Sequence, residues 1–169
     1  MTSEVPQPAQ VYLQLRDHIL SLTPAEVGLQ PTPALPHVWC VMMETGYPVG
    51  WATLIALADG TTSLNFSTGG GMLGSGDYKP VAEASRAFAV ETELILDQMS
   101  LASEFPLPEA GEVRFNILTY EGRLSSLALE EELAAGQHPF SSLYTKARET
   151  LEQLRLLAEM KRGVHQQEK

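Results

Sequence analysis

The chain has 169 residues, of which 44% are hydrophobic and 19% charged, so its composition predicts one globular domain spanning residues 1–169. A formal net charge of −10 argues against nucleic-acid binding and against anionic membranes, because both are bound by basic surfaces. One cysteine excludes an internal disulfide framework, and the lack of a signal-peptide pattern or a long apolar run makes a cytoplasmic location the default prediction.

The amino-terminal part of the chain predicts one helix followed by an extended linker. Residues 1–8 are expected to be mobile, whereas residues 9–23 carry apolar side chains at helical spacing. Residues 24–36 contain four prolines, which disfavour helix and bias the backbone toward extended structure. We therefore expect residues 24–36 to form a linker that lets the first helix sit apart from the sheet or reach a partner.

Three strands are predicted next, over residues 37–45, 49–57 and 61–68. The first is apolar on both faces, which is typical of a central strand or of a strand at a subunit interface. Cys40, which lies on this strand, is interpreted as a small core residue. Asp59-Gly60 is a strong hairpin signal between the second and third strands.

The second half of the chain predicts two more helices and two more strands. The helices are expected over 78–99 and from 138 to 162, and the strands over 112–119 and 123–130, with a mobile tail at 163–169. Glu130-Glu131-Glu132 is interpreted as a solvated edge, because successive side chains of a strand alternate and cannot all face one ion.

The element order α-β-β-β-α-β-β-α predicts an α+β fold: a five-stranded, mostly antiparallel sheet with three helices. In this order the chain is similar to type III secretion chaperones of the small, acidic, homodimeric kind, and in layout to profilin-like and roadblock-like modules. The resemblance implies a dimeric, chaperone-like module. Because it rests on element order and on no shared motif, it assigns no site residue.

The most distinctive stretch is the glycine-rich segment, residues 67–77, between the third strand and the second helix. Glycine lets the backbone adopt unusual dihedrals and lets another group approach the main chain. A glycine-rich turn that runs into a helix amino terminus is suited to anions, because free amides and the helix dipole point to the same place. The candidate ligand-binding residues are Thr68, Gly69, Gly70, Gly71, Gly74, Ser75, Gly76 and Lys79.

A structural turn or an interface loop is the favoured interpretation of the glycine-rich segment, and a ligand-binding loop is the alternative. It lacks the Gly-Lys-Ser/Thr of a P-loop, the glycine order of a dinucleotide-binding fingerprint and the pattern of a nucleophile elbow. Its run S-T-G-G-G-x-x-G-x-G resembles a small group of uncharacterised bacterial proteins, and that resemblance implies no activity.

No catalytic or metal-binding constellation is predicted. The four histidines are scattered and no Cys-x-x-Cys pair occurs, so neither zinc nor another cofactor is implied. The first hypothesis is a non-enzymatic protein-binding or assembly module that self-associates or holds a protein partner. The alternative is a small-ligand or anion-binding protein, or an enzyme, that uses the glycine-rich segment.

Overall fold

The computed structural model describes residues 6–74 and 76–167, which form a single antiparallel sheet and four α-helices. The helices are α1 (Gln10–Ser21), α2 (Lys79–Glu93), α3 (Glu130–Ala134) and α4 (Ser141–Gln167). The strands are β1 (Val38–Tyr47), β2 (Gly50–Leu57), β3 (Thr62–Phe66), β4 (Gly71–Gly74), β5 (Ser100–Leu101), β6 (Glu112–Thr119) and β7 (Arg123–Leu129). Short 3₁₀ turns cover Pro24–Val27 and Leu96–Gln98.

The sheet runs in the order β4-β3-β2-β1-β6-β7-β5, and every neighbouring pair is antiparallel. The central position predicted for the first strand is confirmed, since β1 is buried from Val38 to Gly46. A strand with apolar side chains on both faces is stable only where both faces are covered. In the middle of this sheet both faces of β1 are buried.

The predicted α+β class is confirmed, but the strand and helix counts are wrong. The sheet has seven strands rather than five, because β4 lies inside the glycine-rich segment and β5 lies between residues 99 and 112, where no strand was predicted. Both are edge strands, and their pairing comes from β3 and β7 rather than from strong strand propensity of their own.

The additional helix, α3, begins at the run Glu130-Glu131-Glu132, which was predicted to be a solvated strand edge. Three carboxylates in a first helical turn interact favourably with the positive end of the helix dipole, and this favours helix over strand here. Helix α2 is shorter than predicted and ends at Glu93, whereas α4 continues to Gln167, into the predicted tail. Residues 1–5, 168 and 169 lie outside the described residues.

One face of the sheet is covered by α2 and α4. Its core joins alternate residues of the central strands, such as Val41 and Met43 of β1, to Phe88 of α2 and Ala147 and Leu154 of α4. This is the larger of the two apolar clusters, and its side chains are almost completely buried.

The opposite face of the sheet is covered by α1, so the expectation that the first helix sits apart is wrong. Leu20 of α1 packs in a second cluster with Trp39, Cys40, Met42 and Ile55. The register of β1 against β6 shifts between Val38 and Cys40, and this bulge brings both Trp39 and Cys40 into that cluster. Cys40 is fully buried, as predicted for a core residue, and burial raises the pKa of its thiol.

None of the described helices combines the length and apolar character that crossing a bilayer requires.

Candidate functional site

The first half of the glycine-rich segment forms the turn of a hairpin between β3 and β4. The Phe66 amide donates to the Gly70 carbonyl at 2.8 Å, and the Gly69 amide donates back to the Phe66 carbonyl at 2.9 Å. Gly69 has a φ of 105°, which an L side chain rarely adopts, so glycine is required at this turn position.

The prediction that residues 67–77 form one loop entering a helix is wrong, because β4 divides the segment. Thr68, Gly69 and Gly70 lie at one end of β4, Gly71 and Gly74 are its first and last residues, and Gly76 and Lys79 follow it. Four residues of strand separate the two groups by roughly 10 Å. Ser75 lies outside the described residues.

The end of the segment next to α2 holds the amino terminus of that helix and the predicted phosphate partner. Tyr78 is the residue that precedes the first turn of α2, and its side chain makes no capping hydrogen bond. Lys79, the predicted phosphate partner, is highly exposed and its Nζ lies 3.8 Å from a Glu83 carboxylate oxygen. Ligand binding by the candidate residues stays a prediction, since the structure does not bring them together around one point.

The glycines of the hairpin differ in how strictly the fold requires them. A Cβ at Gly71 would lie 2.6 Å from the Leu64 carbonyl oxygen on β3, whereas a Cβ at Gly70 would meet nothing within 4 Å. Gly70 also lacks a positive φ, so a side chain is tolerated at this position of the hairpin.

Replacing Gly70 with alanine is therefore expected to change the free energy of unfolding by less than about 0.5 kcal/mol, as for surface substitutions in general. Gly71→Ala is the matched variant, and it should destabilise the fold because β3 must move away. Urea unfolding followed by circular dichroism measures both. A loss at Gly70 as large as that at Gly71 would contradict the assignment of Gly70 to open space.

The hairpin forms one wall of a groove whose other wall is α1. This α1–hairpin groove has a volume of about 270 Å³ and is lined by Val11, Tyr12, Leu15, Asn65, Phe66, Gly69, Gly70, Gly71, Met72 and Leu73. Leu73 is 74% exposed, Val11 49% and Leu15 45%. Among the described residues that line the groove none is charged, and this makes it an apolar surface on a strongly acidic protein.

The walls of the α1–hairpin groove are held together at the start of α1. The Ala9 amide donates to the Ser67 carbonyl at 2.7 Å, which joins the beginning of the helix to the hairpin turn. A Cβ at Gly69 would lie 3.6 Å from the Ala9 Cβ, so the turn packs closely against this segment. The glycine-rich turn thus positions α1.

A buried polar network anchors the rest of α1 to the sheet. Arg16 donates from Nε and Nη2 to the two carboxylate oxygens of Glu44, at 2.7 and 2.8 Å, and Nη2 also donates to the Phe105 carbonyl. Thr53 and Asn116 donate to the same carboxylate at 2.9 Å each. We call Arg16, Glu44, Thr53 and Asn116, with Tyr12, the Glu44 network.

Tyr12 completes the network from α1. Its hydroxyl lies 2.6 Å from the Thr53 hydroxyl, which gives its own proton to Glu44, so Tyr12 is the donor to Thr53. Burial, together with the nearby Glu44 charge, raises the pKa of Tyr12 to about 12. Burial alone would lower the pKa of Arg16, but the hydrogen bonds and charge of Glu44 outweigh it and raise the pKa.

The Glu44 network is suited to holding α1 and not to acid–base chemistry. Glu44 is fully buried and accepts four hydrogen bonds, so both carboxylate oxygens are satisfied. Sequence reasoning missed this network. The available signals were a carboxylate on the Cys40–Met42 side of a doubly apolar strand, and an arginine spaced four residues from both Tyr12 and Leu20.

A larger cleft of about 570 Å³ lies between α4 and the end of β1, where Tyr47 and Glu130 face Tyr144 and Arg148. The Tyr144 hydroxyl donates to Glu130 at 3.1 Å and accepts from Arg148 at 3.2 Å. Burial is the main cause that raises the pKa of Tyr47 and of Tyr144, and the Glu130 charge adds to it. Both phenols are neutral near pH 7, so neither is an activated nucleophile.

Metal chemistry receives no support from side-chain grouping. In the part of the chain that the structure describes, no three His, Cys, Asp or Glu side chains are arranged so that they could hold an ion. His37 places Nδ1 2.9 Å from the Glu93 carboxylate, and His138 Nδ1 accepts a hydrogen bond from the Phe140 amide at 3.0 Å.

The α1–hairpin groove contains most of the glycines predicted from sequence, whereas the lining of the α4 cleft contains none of them. No protein-family model, curated protein or solved structure matches this chain.

Proposed function

We propose that the protein is a non-enzymatic protein-binding module that self-associates through the α1–hairpin groove and the outer edge of β4. The observation that carries this proposal is an exposed apolar surface next to an edge strand. Leu73 on β4, with Val11 and Leu15 on α1, forms a continuous apolar lining in which the described residues contribute no charge. Exposed apolar patches of this kind are typical of protein interfaces.

The position of β4 adds a second element to this surface. β4 is the first strand in the sheet order, and within the described residues no other strand pairs with its outer side. Backbone amides and carbonyls along such an edge are available to a strand from another chain, which is how sheets are extended across interfaces. The described sheet is antiparallel throughout, so β4 paired with its own copy about a two-fold axis would continue the same pattern.

Charge does not oppose a second copy at the groove itself, because the described lining residues carry no charge. Each chain carries a formal net charge of −10, so two copies repel each other over most of their surfaces. The uncharged groove is a place where that repulsion is small and apolar area is gained.

Leu73→Asp is the variant that tests self-association. In a two-fold interface the substitution removes two buried leucines, each worth about 1.5–3 kcal/mol, and adds two charges. The dimer dissociation constant should therefore rise by at least about 100-fold. Sedimentation equilibrium at several protein concentrations measures it directly, with circular dichroism to check that the fold is retained.

Leu101→Asp is the matched control, because Leu101 is 80% exposed on β5 at the opposite edge of the sheet. It makes the same change of side chain and charge and should leave the dimer unchanged. A wild-type protein that stays monomeric at about 100 µM, or two variants that dissociate equally, would rule out this interface.

A further inference from the structure

The opposite edge of the sheet carries a second apolar groove. This leucine groove lies between the carboxyl end of α2 and the β5–β7 edge, has a volume of about 720 Å³, and includes Leu94, Leu96, Leu101 and Leu124. Leu94 is 70% exposed and Leu101 80%. Burying leucines this exposed against another apolar surface would be favourable, because it would remove apolar surface from water.

The rim of the leucine groove is acidic. Glu93, Asp97 and Glu121 line it, and among the described lining residues there is no lysine or arginine. Glu93 is fixed in place because one of its oxygens accepts from the backbone amides of His37 and Val38 at 2.8 Å each. Asp97 and Glu121 are exposed and unconstrained by such contacts.

Helix α2 adds to the negative potential of the leucine groove. The helix ends at Glu93 and Leu94 is its C-cap residue, and both residues line the groove, so the carboxyl end of α2 lies beside it. The carboxyl end of a helix carries a partial negative charge of about half an elementary charge, which favours cations. The acidic side chains and the carboxyl end of α2 therefore both make the electrostatic potential of the leucine groove more negative.

We propose that the leucine groove binds a basic amphipathic helix of a partner protein, with apolar side chains against Leu94 and Leu101 and lysines or arginines against the acidic rim. Charge complementarity selects this occupant. A second copy of the chain would bring acidic rims together, and an anionic membrane would be repelled by the same carboxylates. A helix fits better than a strand because β5 has only two residues to pair with.

The proposal is tested with a fluorescent helical peptide of about 18 residues, five turns, built from leucine and lysine at helical spacing. Its binding to the full-length protein is measured by fluorescence anisotropy at about 0.15 M salt. A second peptide has glutamate in place of every lysine. We expect the lysine peptide to bind and the glutamate peptide not to bind.

Charge-reversal variants locate the binding site. Asp97→Lys combined with Glu121→Lys should weaken binding of the lysine peptide by about tenfold or more, since two attractions become repulsions. The charge-matched control is Asp77→Lys combined with Glu132→Lys, two exposed carboxylates outside the leucine groove, and it should change binding by less than about threefold.

Two leucine variants separate this proposal from self-association. Leu101→Asp should weaken peptide binding and leave the oligomeric state unchanged, whereas Leu73→Asp should do the reverse. Absence of binding to the wild type, equal binding of both peptides, or equal weakening by the two charge-reversal pairs would overturn the proposal. Loss of self-association in Leu101→Asp would show that a second copy of the chain occupies the leucine groove, and this result would also overturn the proposal.

Discussion

Replacing Arg16 with methionine is expected to lower the free energy of unfolding by about 3–5 kcal/mol, the usual cost of removing one partner of a buried ion pair. Glu44 has no exposed surface and faces two guanidinium nitrogens of Arg16. Without them the carboxylate keeps only the hydrogen bonds from Thr53 and Asn116 and has no compensating charge. Helix α1 loses its central anchor at the same time, so the α1–hairpin groove should open with it.

The measurement is urea unfolding followed by circular dichroism, at one protein concentration for all variants, because the stability of a self-associating protein depends on concentration. Arg155→Met is the matched control: Arg155 pairs with Glu152 and Glu159 on the exposed surface of α4, where ion pairs contribute little to stability. The double variant Arg16→Met/Glu44→Gln should recover part of the loss, since no buried charge remains. Equal losses at Arg16 and Arg155 would show that the Glu44 network does not anchor α1.

Replacing Gly46 with alanine is expected to destabilise the fold by about 3 kcal/mol, the upper part of the range for overpacking. An added Cβ would lie 2.1 Å from the Glu109 carbonyl oxygen and 2.9 Å from that of Pro108, both of them backbone atoms. The loop before β6 would have to lift from β1. That movement would break the 2.7 Å hydrogen bond from the Trp51 indole to the Pro108 carbonyl.

Urea unfolding monitored by tryptophan fluorescence reports both effects, because the emission of Trp51 depends on that contact. Gly163→Ala is the control, as its Cβ would meet nothing within 4 Å on helix α4. Alanine in an exposed helix position should raise stability by about 0.5–1 kcal/mol. If Gly46→Ala were neutral, the close approach of the loop to β1 would be wrong.

Local patterns were sufficient for the elements whose residues determine their own conformation. The alternating apolar residues of 112–119 predicted β6 with correct bounds, and the doubly apolar run around Val41 predicted the central strand. Both are long segments with strong periodicity, in which local preference and tertiary burial agree.

The errors lie where local preference is weak or opposed. β4 begins and ends with glycine, and β5 has two residues, so each is a strand only because β3 or β7 offers it a ladder. Glutamate has a low strand preference, so the three glutamates that begin α3 become helical after the chain leaves the sheet at Leu129. Each of these features depends on a neighbour that is distant in sequence or invisible to a periodicity argument.

The candidate site shows the same division more strongly. The sequence identified the glycine-rich segment as unusual, and its turn does line the α1–hairpin groove. It did not show that α1 forms the other wall, because Val11 and Leu73 are 62 positions apart in the chain. Nor did it pair Arg16 with Glu44, because a buried ion pair is recognised only when both side chains are placed.

By itself the sequence determined the α+β class, the central position of β1, the core role of Cys40 and the acidic character of the surface. These follow from periodicity, burial preference and charge, which are additive along the chain. Only the tertiary structure decided that α1 covers a sheet face, that β4 is an edge strand and that two apolar grooves lie at opposite edges of the sheet. Those features arise from contacts between distant segments, whose free energy exceeds the weak preferences of the residues that make them.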